Sequence, residues 1–352
     1  MRYFFGFVLT FATLASAQVT VSVPKKIVPI TAPVSTAGPL DLDVVVTTHD
    51  GKPVRGLQQQ DFTVDLNKKP QPITGFLGTG ATASTPVQTI LMIDSVNTRI
   101  TNVAYERQQI GRYLKQNGGK LDHPVTLAVL SDSGVHIISR ASSDGNQLAA
   151  SLNQASIGLR SISHDAGIWG WTDQLQFSVS GLENLAAAEQ NRPGRKLLIW
   201  ISPGWPLLSG PEVYLSSKDQ QALFHTLVGL SASLRRARIT LTSIDPLGTV
   251  DADSYRTVFY QQFTKGVRTA RGMQIGYIGL QVLALQSGGQ VFNSSNNVTG
   301  EIANAVADAN AFYTIQIDSP PTERPNDFRA IAVHVDKRDV TARTRTSYYA
   351  QP

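Results

Sequence analysis

The chain has 352 residues, a formal net charge of +5 and no cysteine. Without cysteine it has no disulfide, no thiolate metal site and no cysteine for lipid attachment. The basic residues are scattered and do not alternate with aromatic side chains along a stripe, which argues against nucleic acid as a partner.

The first residues have the pattern of a secretory signal peptide. Arg2 precedes an apolar stretch at 3–14, and residues 15–17 read Ala-Ser-Ala, which is an A-x-A cleavage site. The apolar stretch is shorter than the roughly 20 residues that a membrane-spanning helix needs, and no later stretch qualifies. We therefore predict a signal peptide at 1–17, no transmembrane segment after its removal, and a secreted or periplasmic protein.

The segment after the cleavage site changes from linker to strands. Residues 18–37 are rich in proline and small residues, which predicts an extended linker. Strand patterns without helices follow at Val44–Thr48, Phe62–Leu66 and Ile73–Phe76.

From residue 88 to about 310, strand and helix patterns alternate. The predicted strands lie at 88–93, 125–130, 135–139, 196–202, 238–245 and 290–292. The predicted helices lie at 103–116, 144–154, 174–190, 218–236, 275–287 and 298–310. This alternation predicts an α/β fold over 86–310, with a doubly wound, mostly parallel six-stranded sheet and helices on both faces.

Two details position the strands of this sheet. Ile90–Ile93 is an apolar run without polar interruption, which is typical of a central strand that is covered on both faces. Residues 131–134 connect the second and third strands and are too few for a helix, so we predict a hairpin and an antiparallel third strand.

Beyond residue 310 the helical pattern ends. The segments FYTIQI, FRAIAVHVD and VTARTRTSYYA alternate apolar and polar residues with a period of two. Neither flank has enough strands to be stable alone. We predict that 38–80 and 311–350 combine into one small β-sandwich, with the α/β segment inserted between them.

Asp94 ends the apolar run of the first α/β strand and has two interpretations. At the carboxyl end of a parallel strand it lies at the edge where open α/β sheets bind ligands. Alternatively, its side chain caps the following helix or closes a turn.

Several stretches resemble one family. ILMIDSVNT, with its strand ending in Asp, and the hairpin that follows it resemble the von Willebrand factor A domain. DGKPVRGLQQQDFTVDLNKKPQPITGF, RKLLIWISPGWP and RTRTSYYA are similar to exported bacterial proteins called VWFA-related, which are abundant in acidobacteria. The resemblance covers nearly the whole mature chain.

The resemblance implies a Mg²⁺ site that is weak or vestigial here. In the family, the first strand ends in Asp-x-Ser-x-Ser, and a later Thr and Asp complete the ligands. Asp94, Thr98 and Thr172 match three of these positions, whereas Val96 replaces a Ser and Ser202 replaces the second Asp. One carboxylate and two hydroxyls compensate poorly for the dehydration of Mg²⁺. We expect no cofactor, or at most weakly bound Mg²⁺.

The same edge is the predicted partner-binding surface. Its predicted residues are Asp94, Asn97, Trp171, Ser202 and Trp205. Without a metal, Asp94 is expected to accept hydrogen bonds from backbone N–H groups near Asn97 and Thr98 and so to fix the loop.

Two classes of function follow. None of the six histidines belongs to a metalloprotease motif, and no nucleophile elbow or phosphate-binding loop occurs. We therefore predict a non-enzymatic, adhesion-type module that binds a protein partner at the cell envelope or outside it. The alternative is an exported hydrolase that uses Asp94, His164, Asp165 or Asp173 as acid/base groups.

Overall fold

The computed structural model describes residues 19–20, 35–78, 87–155, 167–205, 213–248, 260–310 and 312–352. The predicted signal peptide, most of the predicted linker, His164 and Asp165 lie outside the described residues. The side chain of Trp171 lies outside them as well.

Strands and helices are numbered here in chain order. The strands are β1 (Val19–Thr20), β2 (Gly38–Thr48), β3 (Phe62–Leu66), β4 (Lys69–Gln71), β5 (Ile73–Leu77), β6 (Gln88–Asp94), β7 (Lys120–Ser131), β8 (Gly134–Asp144), β9 (Lys196–Ile201), β10 (Val213–Tyr214), β11 (Ile239–Ile244), β12 (Val291–Phe292), β13 (Phe312–Ser319), β14 (Asp327–Val335), β15 (Val340–Arg343) and β16 (Ser347–Ala350). The α-helices are α1 (Ile100–Leu114), α2 (Gly145–Gln154), α3 (Gly167–Glu189), α4 (Ser217–Arg236), α5 (Leu280–Gln286) and α6 (Val298–Ala307).

The central sheet confirms the predicted fold class. Its six strands within the described residues have the order β12-β11-β9-β6-β7-β8. Every pairing is parallel except that of β7 with β8, which a turn at 132–133 joins as a hairpin. β6, with its unbroken apolar run, lies between β9 and β7.

Helices cover both faces of this sheet. Met92, Trp200 and residues of α3, α4 and α5 form the core on one face. Leu91, Ile199 and residues of α1, α2 and α6 form the core on the other face. Because successive side chains of a strand point to opposite faces, the apolar run of β6 supplies both cores at once.

Strands from the two ends of the chain pair with each other. Two antiparallel sheets have the orders β15-β2-β13-β5 and β16-β14-β3-β4. Tyr313 of β13 lies opposite Val44 of β2, and Ile331 of β14 lies opposite Leu66 of β3. All four side chains belong to one hydrophobic core.

Two helices differ from the prediction. The segment around Thr172, predicted as a loop, is helical because α3 begins at Gly167. Gly167 and Gly170 favour a loop, and the apolar face that α3 packs on the core overrides that local preference. The predicted helix at 275–287 splits into a 3-10 turn, Ile275–Ile278, and α5, because Gly279 between them is extended, with ψ of 144°.

Among the described residues, no helix combines the length and the apolar character that crossing a membrane requires.

Candidate functional site

The carboxyl ends of three parallel strands meet at one edge of the central sheet. β6 ends at Asp94, Ser202 follows β9, and Asp245 follows β11. Ser202 N donates a hydrogen bond to Ile244 O at 2.9 Å, so the chain after β9 stays beside β11. This edge is the usual place for a ligand site in an open α/β sheet.

Asp94 is fully buried at this edge. Its Oδ1 accepts hydrogen bonds from the backbone N–H groups of Val96 at 3.0 Å and Asn97 at 2.9 Å. Its Oδ2 accepts from Asn97 Nδ2 at 2.8 Å and from Trp200 Nε1 at 3.0 Å. The expected backbone contact at Asn97 is present, and the second amide is that of Val96 rather than Thr98. These donors use all of the roughly four lone-pair positions of a carboxylate.

Helix α3 holds the loop after β6 from the side. Asn97 Nδ2 also donates to Ser178 Oγ at 2.8 Å, and Ser178 Oγ donates to Gln174 O at 2.8 Å. Gln174 Nε2 donates to Val96 O at 3.3 Å. The loop is therefore bound to the central sheet through Trp200 and to α3 through Ser178 and Gln174.

Most residues at the family's Mg²⁺ positions are poorly placed to hold that ion. Both oxygens of Asp94 already accept N–H groups, and Val96 offers only an aliphatic side chain. Ser202 Oγ accepts a hydrogen bond from Gly204 N at 3.1 Å, and Thr172 is buried in α3. Within the described ranges, no group of three or more His, Asp and Glu residues is placed to hold a metal ion.

The described side chains predicted to contact a partner at this edge are interior. Asp94 and Ser202 are fully buried, and Asn97 and Trp205 are 8% and 4% exposed. Trp205 packs edge-on against Trp200, with ring centroids 5.4 Å apart. These side chains shape the edge, so a partner that binds this conformation contacts other residues.

Arg99 and Ile100 are exposed where the same loop enters α1. Ile100 is 57% exposed, the largest value among the large apolar side chains that the structure describes as exposed. Arginine is enriched in interfaces and their buried centres are apolar, so these two residues are the candidate contact at this edge. The sequence pattern does not reveal them, because the exposure of Ile100 depends on how α1 docks on the sheet.

Glu106 of α1 is a second buried carboxyl close to Asp94. It is fully buried, and neither of its carboxyl oxygens accepts a well-aligned hydrogen bond from a described residue. Burial raises the pKa of Glu106 well above its usual range, and the charges of Asp94 and Asp245 raise it further, whereas the nearby Thr98 hydroxyl lowers it. Glu106 is therefore neutral over a wider pH range than an exposed glutamate.

Sequence analysis missed Glu106, although a signal was present. Glu106 lies between Val103 and Ile110 at helical spacing, on the face of α1 that packs on the sheet. Glu301 of α6 is similar, since burial and the charge of Asp245 raise its pKa to about 7. Acidic side chains thus lie on the inner faces of two neighbouring helices.

We expect Glu106→Gln to stabilise the protein above pH 5. The folded state binds the Glu106 proton more tightly than the unfolded state, so the stability of the wild type falls as pH rises from about 4.5 towards the raised pKa. The loss is about 1.4 kcal/mol per pH unit within that window. Glutamine does not ionise, so urea unfolding should show an advantage of Glu106→Gln that grows as the pH rises above about 5.

The exposed Glu323 is the control for this experiment. Glu323→Gln should leave the pH dependence of stability as it is in the wild type. If Glu106→Gln shows the same pH dependence as the wild type, the pKa of Glu106 is the same in the folded and unfolded states, and the interpretation is wrong.

Comparisons with known proteins give structural similarities only. No protein-family model and no curated protein matches the chain. An aerotolerance-related membrane protein from Bacteroides fragilis is 14% identical, with a TM-score of 0.34, over 62% of this chain and 98% of that chain. The SpRpn10 VWA domain is 11% identical, with a TM-score of 0.31, over 64% of this chain and 98% of that chain.

The pilus adhesin SpaC from Lactobacillus rhamnosus GG is 10% identical, with a TM-score of 0.37. The match covers 85% of this chain and 43% of that chain. Because all three TM-scores lie below 0.5, these similarities carry no argument about what this chain binds.

Proposed function

We propose that this protein is an exported, non-enzymatic binding module of adhesion type, which uses the carboxyl edge of the central sheet without a metal ion. The observation that supports this is the saturation of Asp94 by N–H donors from the loop itself and from Trp200. The loop needs no ion to keep its shape, so it can present a fixed surface to a protein at the cell envelope or outside it.

Arg99 and Ile100 form the proposed contact. Both are exposed at the end of the loop that Asp94 fixes, and this loop is further bound to α3. A preorganised loop loses little conformational entropy on binding, which favours affinity from a small number of contacts. Arg99 adds a positive charge, which favours a partner that has an acidic group beside the apolar pocket that receives Ile100.

The hydrolase alternative has less support. An acid/base group must exchange a proton with a substrate within hydrogen-bond reach. Asp94 is fully buried and accepts only N–H groups, which leaves no lone pair for a substrate proton. Asp173 is exposed on α3, but among the described residues no hydrogen bond or ion pair connects it to a second acid/base group.

Partner capture with two matched isoleucine variants tests the proposal. The mature protein, Ile100→Asp and Ile137→Asp are immobilised and incubated with cell-envelope extract of the source organism. Ile137 is 49% exposed on the antiparallel edge strand β8, away from the loop. We expect a partner that Ile137→Asp retains and that Ile100→Asp loses at least about tenfold, since burying a charge in an apolar contact is costly.

Equal capture by both variants would contradict the proposed contact. The protein is also tested for hydrolysis of a general panel of substrates. If it hydrolyses one of them, and if Asp94→Asn abolishes this activity while the protein remains folded, the hydrolase alternative is correct and the binding proposal is wrong.

We also expect divalent metal ions to bind weakly or not at all. Mg²⁺ or Mn²⁺ would have to displace N–H donors from Asp94 and would find no carboxylate at the family's second Asp position, because Ser202 takes that position. Calorimetric titration should show no heat of binding or a dissociation constant in the millimolar range. Micromolar affinity that disappears in Asp94→Ala would show that the family's metal site is intact.

A further inference from the structure

A group of arginines lies at the amino edge of the central sheet, opposite the candidate site. Arg195 and Arg238 directly precede β9 and β11. Arg235 lies in the last turn of α4, and Arg345 lies between β15 and β16 of the flanking sheets. This is where the central sheet meets the flanking sheets.

Two of these arginines have partners. Arg238 forms an ion pair with Asp43 of β2. Arg195 Nη1 donates a hydrogen bond to Asp308 O at 3.0 Å, and its guanidinium lies 4.8 Å from the ring centroid of Phe312. Their burial is therefore compensated within the protein.

Arg345 and Arg235 have no such compensation. Arg345 is 8% exposed, and neither side chain forms an ion pair or a hydrogen bond with any described residue. Burial lowers the pKa of Arg345 to about 10, to which the charge of Arg235 contributes, and Asp43 only partly offsets this. Both guanidiniums remain charged at neutral pH. Arg345 is buried and Arg235 is half-buried, so their mutual repulsion is only partly screened by solvent.

A cavity of about 10 Å³ lies between these side chains, and Thr344 also lines it. Thr344 Oγ1 is buried and has no hydrogen-bond partner among the described residues. Asp43 lines the cavity too but is paired with Arg238, and Asp41 is exposed. The volume is that of one water-sized species.

The segment that carries Thr344 and Arg345 is held firmly against the central sheet. Arg343 Nη2 forms an ion pair with Asp308 Oδ1 at 2.8 Å. Gly288, at φ of +92°, allows the chain to approach so closely that a Cβ atom there would lie 2.6 Å from Thr344 C. The side of the cavity that Thr344 and Arg345 form is therefore preformed.

We propose that this cavity binds one small, monatomic inorganic anion, for which chloride is the probe. Arg345, Arg235 and Thr344 Oγ1 are the donors, and charge-assisted hydrogen bonds of this kind are strong. Arg345 belongs to the flanking sheets and Arg235 to α4. The bound ion therefore joins the two parts of the molecule.

Thermal unfolding of the mature protein at constant ionic strength tests the site, with chloride replacing gluconate. Above its dissociation constant, a tenfold increase in chloride should raise the unfolding midpoint by about 2 °C. Arg345→Gln should lose this rise and, in gluconate, unfold at a higher temperature than the wild type, because the unpaired charge is gone. Arg338→Gln, at an exposed arginine, should keep the rise.

A wild-type midpoint that is equal in chloride and gluconate would overturn the proposal, as would a full chloride effect in Arg345→Gln. If Arg345→Gln does not fold, Arg235→Gln is measured with the same criteria. Crystals soaked in bromide give a direct observation. An anomalous peak between Arg235 and Arg345 supports the site, and its absence, with water in that position, refutes it.

Discussion

Asp94→Ala is expected to lower the free energy of unfolding by about 3–5 kcal/mol. The substitution leaves two backbone N–H groups, Asn97 Nδ2 and Trp200 Nε1 without their acceptor in a buried environment. Each buried donor without a partner costs about 1–3 kcal/mol, and the total is less than the sum because neighbouring effects are not additive. Urea unfolding of the purified variants measures the difference.

Two further aspartate variants test whether the loss of stability comes from the hydrogen bonds of Asp94. Asp94→Asn keeps the size of the side chain and one acceptor oxygen, so its loss should be smaller than that of Asp94→Ala. Asp173→Ala, at an exposed position on α3, should change stability by no more than about 0.5 kcal/mol. If Asp94→Ala is as stable as Asp173→Ala, or if Mg²⁺ stabilises the wild type through Asp94, the loop is not held by these hydrogen bonds.

The strands of the α/β segment could be predicted because their signals are local. The apolar run Ile90–Ile93 places β6 in the centre of the sheet, and the short connection at 131–134 allows only a hairpin. The start of α3 could not be predicted from local preference. Its first turns contain Gly167 and Gly170, and the helix is stabilised by packing further along the chain.

The position of Asp94 was predictable, but most of its surroundings were not. Asn97 is close in sequence, so its contact follows from a local turn. Trp200 reaches Asp94 only because β9 pairs with β6 in a register that places Trp200 opposite Met92. Such a register is a property of the assembled sheet, and no pattern within either strand specifies it.

In the flanking sheets, too, the local pattern could be predicted from the sequence and the arrangement of the strands could not. Alternation with a period of two predicts which side chains face inward, and Tyr313 and Val44 do so. The order of strands does not follow from alternation. β2 lies between β13 and β15, and β13 also pairs with β5, with a register shift between Gln316 and Ile317.

Tyr313→Ala is expected to lower the free energy of unfolding of the flanking sheets by at least about 4 kcal/mol. Tyr313 is fully buried, its ring lies 5.1 Å from that of Phe62, and its hydroxyl donates to Val54 O at 2.9 Å. The same hydroxyl accepts from Leu57 N at 3.2 Å. Loss of a buried aromatic ring costs about 3–5 kcal/mol, and the two backbone groups then lack a partner.

This effect should extend across the chain, because Tyr313 belongs to the carboxyl-terminal flank and its contacts belong to the amino-terminal flank. Limited proteolysis of Tyr313→Ala should therefore cut within 38–78 much faster than in the wild type. Tyr313→Phe keeps the ring and loses only the hydroxyl bonds, so its loss should be about 1–3 kcal/mol. If Tyr313→Ala leaves 38–78 as resistant to protease as in the wild type, the two flanks are stable independently and the shared core does not hold them together.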